Sequence, residues 1–277
     1  MASLQELQRN WEGFAKSDPL WSICVDPQRR NNLWGEREFF ATGANEIGKV
    51  LDYVKSLGFG LDPEAPVLDF GCGVGRLNRA LAQHFNECWG VDISPTMIQL
   101  ARDFHKDLRH CHFSLNVTDS LEQFAADYFG FVYTSIVLQH IDKELVEGYL
   151  RGLIRILKPG GLFVFQIADR DARGTIQKWR SKARLRGRLK NFVCRSEPAL
   201  CMEMHCFSEK QIRRFLSDQH VEIIDVKLTN STDLSSIGNF RFLEQEPRDG
   251  FISKQYCLIK KTKGTGKEVH QVLATDR

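Results

Sequence analysis

Hydrophobic and polar positions along this chain change period near residue 60. Before it, apolar residues recur at helical spacing: Leu4, Leu7 and Trp11, then Ile47, Val50, Leu51 and Val54. Between those helices lies SDPLWSICVDPQRRNNLWGEREFFATG, rich in prolines, turn residues and rings, which reads as an ordered but irregular cap. From Ala65 onward, short apolar runs alternate with amphipathic stretches. PVLDF, ECWGVDIS, CHFSLNV, GFVYTSIVLQHI and LFVFQIAD read as strands. RLNRALAQHF, PTMIQLARDF, LEQFAADYF and KELVEGYLRGLIRIL read as helices. Ser94 is placed to cap the second of these, with Pro95 at its first position, and KPGG to stop the last. Strands that are apolar on both faces and alternate with helices predict an α/β fold: a doubly wound, Rossmann-like parallel sheet covered on both sides.

Beyond LFVFQIAD the alternation breaks. RDARGTIQKWRSKARLRGRLKNFVCR is strongly basic, lacks apolar periodicity and reads as an insertion after the fifth strand. SEKQIRRFLSDQ, capped by Ser208, then reads as a helix, and VEIIDVKLT and KQYCLIKK as strands. The expected organisation is a helical cap over 1–62, a main domain over 63–262 containing a basic insertion or lid at 170–205, and a frayed polar tail over 263–277.

Composition narrows this modestly. The 277 residues are 42% hydrophobic and 26% charged, as in ordinary globular proteins, and a net charge of +3 does not by itself argue for nucleic acid. The eight cysteines show no C-x-x-C spacing and read as reduced thiols of a cytoplasmic protein. MASLQELQRNWEGF has early charges and no apolar core, unlike a signal peptide, and no apolar run is long enough to span a membrane. No His, Asp and Glu spacing suggests a metal.

The chemistry concentrates in VLDFGCGVGR, Val67–Arg76. Three glycines follow a strand and precede a helix, where a backbone turn can cradle a ligand outside the carboxyl end of a parallel strand. The next strand ends in Asp92, about 20 residues on, where a ribose-binding acid belongs, the lesser alternative being an acid that introduces the following helix. A nicotinamide site would place a pyrophosphate over the turn. Asp69, at the strand end, would repel a pyrophosphate but suits a ligand bearing a cationic amine.

VLDFGCGVGR followed by GVDIS resembles the cofactor core of the class I S-adenosylmethionine-dependent methyltransferases, and VLQHI and ILKPGG resemble that family's fourth strand and the turn before its fifth. The resemblance spans about residues 65–168 and implies a seven-stranded sheet. LWGEREFFATG is similar to a segment that precedes the core in small-molecule members. It further implies that Asp69, Gly71, Cys72, Gly73 and Arg76 surround the methionine part of the cofactor, with Asp69 near its amine. Asp92 would accept hydrogen bonds from the ribose, Ile93 and Met97 would flank the adenine, and Asn116 and Val117 would read its edge. Ser135 and Ile136 would lie beside the sulfonium, and Trp34, Phe40 and Gly43 nearest the cofactor from the cap. Gly130 stands where the family often has an acid.

Methyl transfer needs positioning and, for a hydroxyl or ammonium acceptor, a proton sink. His140 is the catalytic candidate, with capping of its loop as the other reading; Tyr133, His205 and Asp169 are weaker ones. The cap aromatics Trp11, Phe14, Trp21, Trp34, Phe39 and Phe40 could cover the site or form the core of a helical layer. The expected function is O- or N-methylation of a small molecule, sugar-derived or a specialised metabolite. The basic stretch is a solvated face, a lid or an attractor for an anionic acceptor. RNA is disfavoured by the scarcity of rings beside it, Trp179 and Phe192. The rival readings are an RNA or protein methyltransferase, a non-catalytic S-adenosylmethionine-binding protein, and an NAD-dependent oxidoreductase.

Overall fold

The structure is a computed structural model that describes residues 4–173, 200 and 202–262. The chain runs α1 (Leu4–Ser17), α2 (Pro19–Ile23), α3 (Glu36–Ser56), β1 (Val67–Phe70), α4 (Asn78–Leu81), β2 (Cys88–Asp92), α5 (Pro95–Phe104), β3 (Cys111–Leu115) and β4 (Phe129–Thr134). It continues with α6 (Lys143–Ile156), β5 (Leu157–Asp171), α7 (Glu209–Ser217), β6 (Val221–Thr229), β7 (Phe242–Leu243) and β8 (Phe251–Lys260). One sheet has the order β3-β2-β1-β4-β5-β8-β6-β7. The first five strands are parallel. β8 runs antiparallel between β5 and β6, so the expected doubly wound parallel sheet carries an antiparallel flank. The two-residue β7 makes eight strands rather than seven.

Strand order reverses between β1 and β4, which is where a doubly wound sheet opens a ligand crevice. One face of the sheet packs through Leu68, Val132, Phe163 and Phe165 on Tyr149, Leu150 and Leu153 of α6. The other packs through Val67, Phe131 and Val164 on Ile47, Val50 and Val54 of α3. These α3 residues recur at three- and four-residue spacing, so one stripe of the helix is buried. The helix begins at Glu36, and EREFFATG is therefore helical, not irregular.

Two local expectations fail for visible reasons. LEQFAADYF forms turns in place of a helix. Leu121 and Phe124 bury their side chains, and the Arg155 guanidinium donates to the carbonyls of Leu121 (2.9 Å), Phe124 (3.1 Å) and Ser120 (3.3 Å). A side chain thus satisfies acceptors that a helix would have paired. GFVYTSIVLQHI stops being a strand at Thr134, turns through Ile136 at φ +59°, and ends in a 3-10 turn at Leu138–His140.

The capping signals do hold. Ser94 Oγ accepts from the Met97 N–H at 3.1 Å with Pro95 following. Ser208 and Gln211 form a reciprocal capping box at α7. Most of the basic stretch (174–195) and the tail (263–277) lie outside the described residues, so the lid and tail expectations do too. Among the described residues, no helix is long and apolar enough to cross a membrane.

One ion pair joins the layers behind the glycine turn. Arg76 Nη2 lies 2.7 Å from Glu46 Oε2, with both side chains buried, and the Tyr133 hydroxyl donates to Glu46 Oε1 at 2.9 Å. Removing one member strands the other's charge in the interior. Glu46→Ala should therefore destabilise the fold by about 3–5 kcal/mol in urea titration, whereas loss of an exposed pair costs about 1 kcal/mol or less.

Candidate functional site

The sheet's reversal point carries a cavity of about 1120 Å³, large for a single small-molecule site. Its floor is the turn after β1. Gly71 (φ +76°) and Gly73 (φ +53°) adopt left-handed backbone, and added Cβ atoms would come within 2.3 Å of Val137 and 2.5 Å of Ile23. Only glycine lets the chain turn that sharply and leave the space open.

Two carboxylates frame the turn. Asp92 ends β2; its Oδ2 accepts from the Gly73 N–H and its Oδ1 from the Ser94 N–H, each at 2.9 Å. Burial raises its proton affinity, opposed by those backbone donors. Asp69, 1% exposed on β1, is under greater stress. Burial raises its pKa to about 8; Arg76 opposes this and Glu46 and Asp92 add to it. Its Oδ2 finds no hydrogen-bond partner among the described residues although the residue lines the cavity. An unpartnered buried carboxylate oxygen on a residue that lines such a space calls for a cationic donor. The residues present therefore fit an amine-bearing nucleoside, with Asp92 as the second acceptor.

Cys72, Ile93, Met97 and Asn116 also line this half of the cavity, and Ser135 and Ile136 line it just past β4. The Ser135 hydroxyl is buried and without a partner among the described residues. Arg76 lines the floor, but its guanidinium turns away to Glu46 and, at 3.4 Å, Thr42. It braces the turn from behind.

Four expected cofactor neighbours lie elsewhere. Trp34 donates its indole N–H to the Cys24 carbonyl (2.9 Å) and packs on Phe39. Phe40 sits edge-on to Phe104 and His105. Gly43 lies against the Arg76 backbone, where a Cβ would meet its carbonyl oxygen at 2.3 Å. These three pack behind the turn because α3 runs under the sheet's far side, not over its edge. Val117 is 48% exposed and outside the cavity; the chain has already turned outward past Asn116.

Of the cap rings offered as a cover, Trp11 and Trp21 line the cavity; sequence reasoning missed the rest of the wall. α1 lies over the cleft, with Leu7 and Trp11 lining it. Gln8 Nε2 donates to the Ile93 carbonyl at 3.1 Å. The Glu12 carboxylate accepts from Ser94 Oγ (2.6 Å) and from the Thr96 backbone N–H (3.1 Å). Burial alone would raise its pKa, but these donors hold it at about 2. Trp21, Ile23 and Val25 extend this wall. Opposite stands the connection from Thr229 to Phe251, which contributes Asn230, Leu234, Arg241 and Arg248. Its only sequence signal is a cluster of Asn, Ser, Asp and Gly with no periodicity.

His140 lines the cavity and meets the Trp11 ring edge-on at 5.5 Å. Its Nδ1 is 2.7 Å from the Glu203 carbonyl, so that nitrogen carries the proton and Nε2 the lone pair. Burial lowers its pKa below 6.5, which the Glu203 contact opposes and His205 reinforces. The weaker candidates leave the site. Tyr133 is fully buried on Glu46, and His205 is outside the cavity and pairs with Glu203 at 3.5 Å. Asp169 accepts from the Glu209 N–H at 2.7 Å and pairs with Lys254 at 3.4 Å, introducing α7.

Residues 68–165 match the family model described as a methyltransferase domain. A 2-heptyl-1-hydroxyquinolin-4(1H)-one methyltransferase of Mycobacteroides abscessus is 30% identical over 107 residues, covering 38% of this chain and 47% of that protein. A demethylmenaquinone methyltransferase of Tropheryma whipplei is 33% identical over 98 residues, 35% of this chain and 39% of that protein. The chain thus spans less than half the length of these curated relatives. Among solved structures, geranyl diphosphate C-methyltransferase of Streptomyces coelicolor A3(2) shares the fold with a TM-score of 0.55 at 15% identity, covering 77% of this chain and 80% of that one.

The Asp69 environment has a pH signature. Its folded pKa of about 8 lies above the ordinary 3.8, so the folded state holds a proton that the unfolded chain has released in between. Without ligand, this group's contribution to stability should fall as pH rises from about 4 to about 8. An amine-bearing ligand should expel the proton, so calorimetry at pH 7 in buffers of different ionisation enthalpy should show proton release on binding. Asp69→Asn should abolish that release.

Proposed function

We infer that this chain, whose residues 68–165 match the methyltransferase-domain model, transfers a methyl group from S-adenosylmethionine to a small-molecule acceptor. The observation that carries this reading is the buried, unpartnered Asp69 carboxylate oxygen beside Asp92 in one cavity at the sheet's reversal point. The cofactor would supply an electrophilic methyl on a sulfonium, so no protein nucleophile is required.

Each residue then has a defined task. Asp69 accepts from the ligand's ammonium, and Asp92 uses its remaining lone pairs for the ribose hydroxyls. Ile93 and Met97 sandwich the base, and Asn116 reads its edge. The backbone at Ser135 and Ile136 borders the reacting end. His140 Nε2 takes the proton lost by an O–H or N–H acceptor, which displaces the long 3.5 Å contact from the Gln139 amide. The cap over 1–62 contributes Leu7, Trp11 and Trp21, which exclude water that would compete for the methyl.

The acceptor half of the cavity supports a molecule with an apolar body and an anionic end. Trp11, Ile141, Met202, Met204, Leu234 and Phe251 provide apolar wall. Arg30, Arg173, Arg241 and Arg248 line the same cavity, against Asp233 and Asp249. Arg173 is engaged by Asp171 at 2.9 Å and stacks on Phe251 at 4.6 Å, leaving Arg30, Arg241 and Arg248 as the better anion contacts. Guanidinium groups favour carboxylate and phosphate through paired donors.

S-adenosylmethionine should bind measurably in calorimetry, and absence of binding at millimolar cofactor would sink the reading. Asp92→Ala should weaken that binding by about 1–3 kcal/mol. For an oxygen or nitrogen acceptor, His140→Ala should lower kcat by about 10²–10⁴ with little change in cofactor affinity.

A further inference from the structure

The geometry around His140 extends into the sheet. Gln166 is fully buried on β5, near the strand's carboxyl end. Its Oε1 accepts from the Ile136 backbone N–H at 2.8 Å. Its Nε2 donates to Gln139 Oε1 at 2.8 Å and to Ser253 Oγ at 2.6 Å. Gln139, itself 2% exposed, places its Nε2 3.5 Å from His140 Nε2.

The polarity of this chain is set from both ends. A backbone N–H can only donate, so the Gln166 atom facing Ile136 is oxygen and its other atom is the donor. Gln139 must therefore present oxygen to Gln166 and N–H to His140. At the far end the Glu203 carbonyl can only accept, so His140 Nδ1 carries hydrogen. Both ends require the same ring: Nδ1 protonated, Nε2 an acceptor. A second proton on Nε2 would face the Gln139 amide N–H.

We propose that Gln166 is a positioning residue that, through Gln139, presents an N–H to His140 Nε2 and so keeps that nitrogen an acceptor. The same side chain braces the turn after β4. Ile136 is β-branched yet sits at φ +59°, a conformation that persists only where its surroundings hold it. The Gln166 carbonyl bond to its N–H is such a hold. Ser253 and Thr229 Oγ1, 2.8 Å apart, continue the network to Ser231 on the acceptor wall.

Among the described residues, few other groups compete for control of the ring. His205 acts on it from the 202–208 segment and is itself paired with the Glu203 carboxylate at 3.5 Å. From the start of α6, Asp142 caps the Glu144 N–H and Lys143 lies over the Phe207 ring. From α1 the ring meets Trp11, which is uncharged.

The test is a side-chain ¹⁵N–¹H titration of His140 in the full chain, with His140→Gln to assign the signal. In the unaltered protein the ring should be neutral, with hydrogen on Nδ1, at pH 7. Gln166→Leu removes the donor that fixes Gln139, whose amide can then turn its oxygen toward Nε2. The proton affinity of His140 should rise about tenfold, roughly one hydrogen bond's worth. If Gln166→Leu does not fold, Gln139→Glu, which puts an acceptor against Nε2 directly, should shift it in the same direction. A purely structural Gln166 would lower stability and leave the titration unmoved; an unmoved midpoint in the folded variant overturns the proposal.

The consequence for turnover rests on His140 being the base. If so, the acid limb of kcat/KM should move upward with the midpoint while KM for S-adenosylmethionine stays constant. A shifted midpoint in a protein that transfers no methyl group would discard the enzymatic reading and leave this inference standing.

Discussion

The Arg76–Glu46 ion pair is the constraint on which the rest of the site depends. It joins α3 to the glycine turn and, through the Tyr133 hydroxyl, to β4. Burying two charges is expensive, so such a pair is weak evidence of stability. Its value is positional. Arg76 follows the third glycine directly, so a fixed guanidinium fixes where the turn ends. The pair also acts on Asp69 from behind, with Arg76 easing and Glu46 aggravating the burial of that carboxylate. Asp69 is thereby left strained by desolvation yet ready for a cation.

A second set of contacts closes the cleft from the front. Glu12 and Gln8 tie α1 to the start of α5 and to the Ile93 carbonyl. These anchors lie on the connection that follows Asp92, so the cover and that carboxylate share one support. α1 is held there by Gln8 and Glu12 in its middle, by Leu4 and Leu7 packed against the sheet's core cluster, and by the buried Phe14 and Ala15 near its end.

The division between shared core and private wall follows the same lines. The matched segment, 68–165, contains the glycine turn, Asp92, Asn116 and His140. α1, α2 and the Thr229–Phe251 connection, which form the acceptor half, lie outside it. The family match therefore speaks to the half of the cavity that carries Asp69 and Asp92.

The α/β alternation, the caps at Ser94 and Ser208, and the two acids flanking the glycine turn were legible in the sequence because they rest on local chemistry. Period, turn propensity and charge act within a few residues, and VLDFGCGVGR concentrates all three. What only the tertiary structure decided depends on distant partners. Arg155 turned an expected helix into turns, and the close approach of α3 to Arg76 put Trp34, Phe40 and Gly43 behind the turn. The Thr229–Phe251 connection became a wall of the cavity although nothing in its pattern marks it, because loops take their shape from what they pack against. His140 was visible as a residue, but the state of its ring was not. That is set by a carbonyl 63 positions away and by a glutamine on the next strand, and hydrogen-bond polarity of this kind exists only once the strands are side by side.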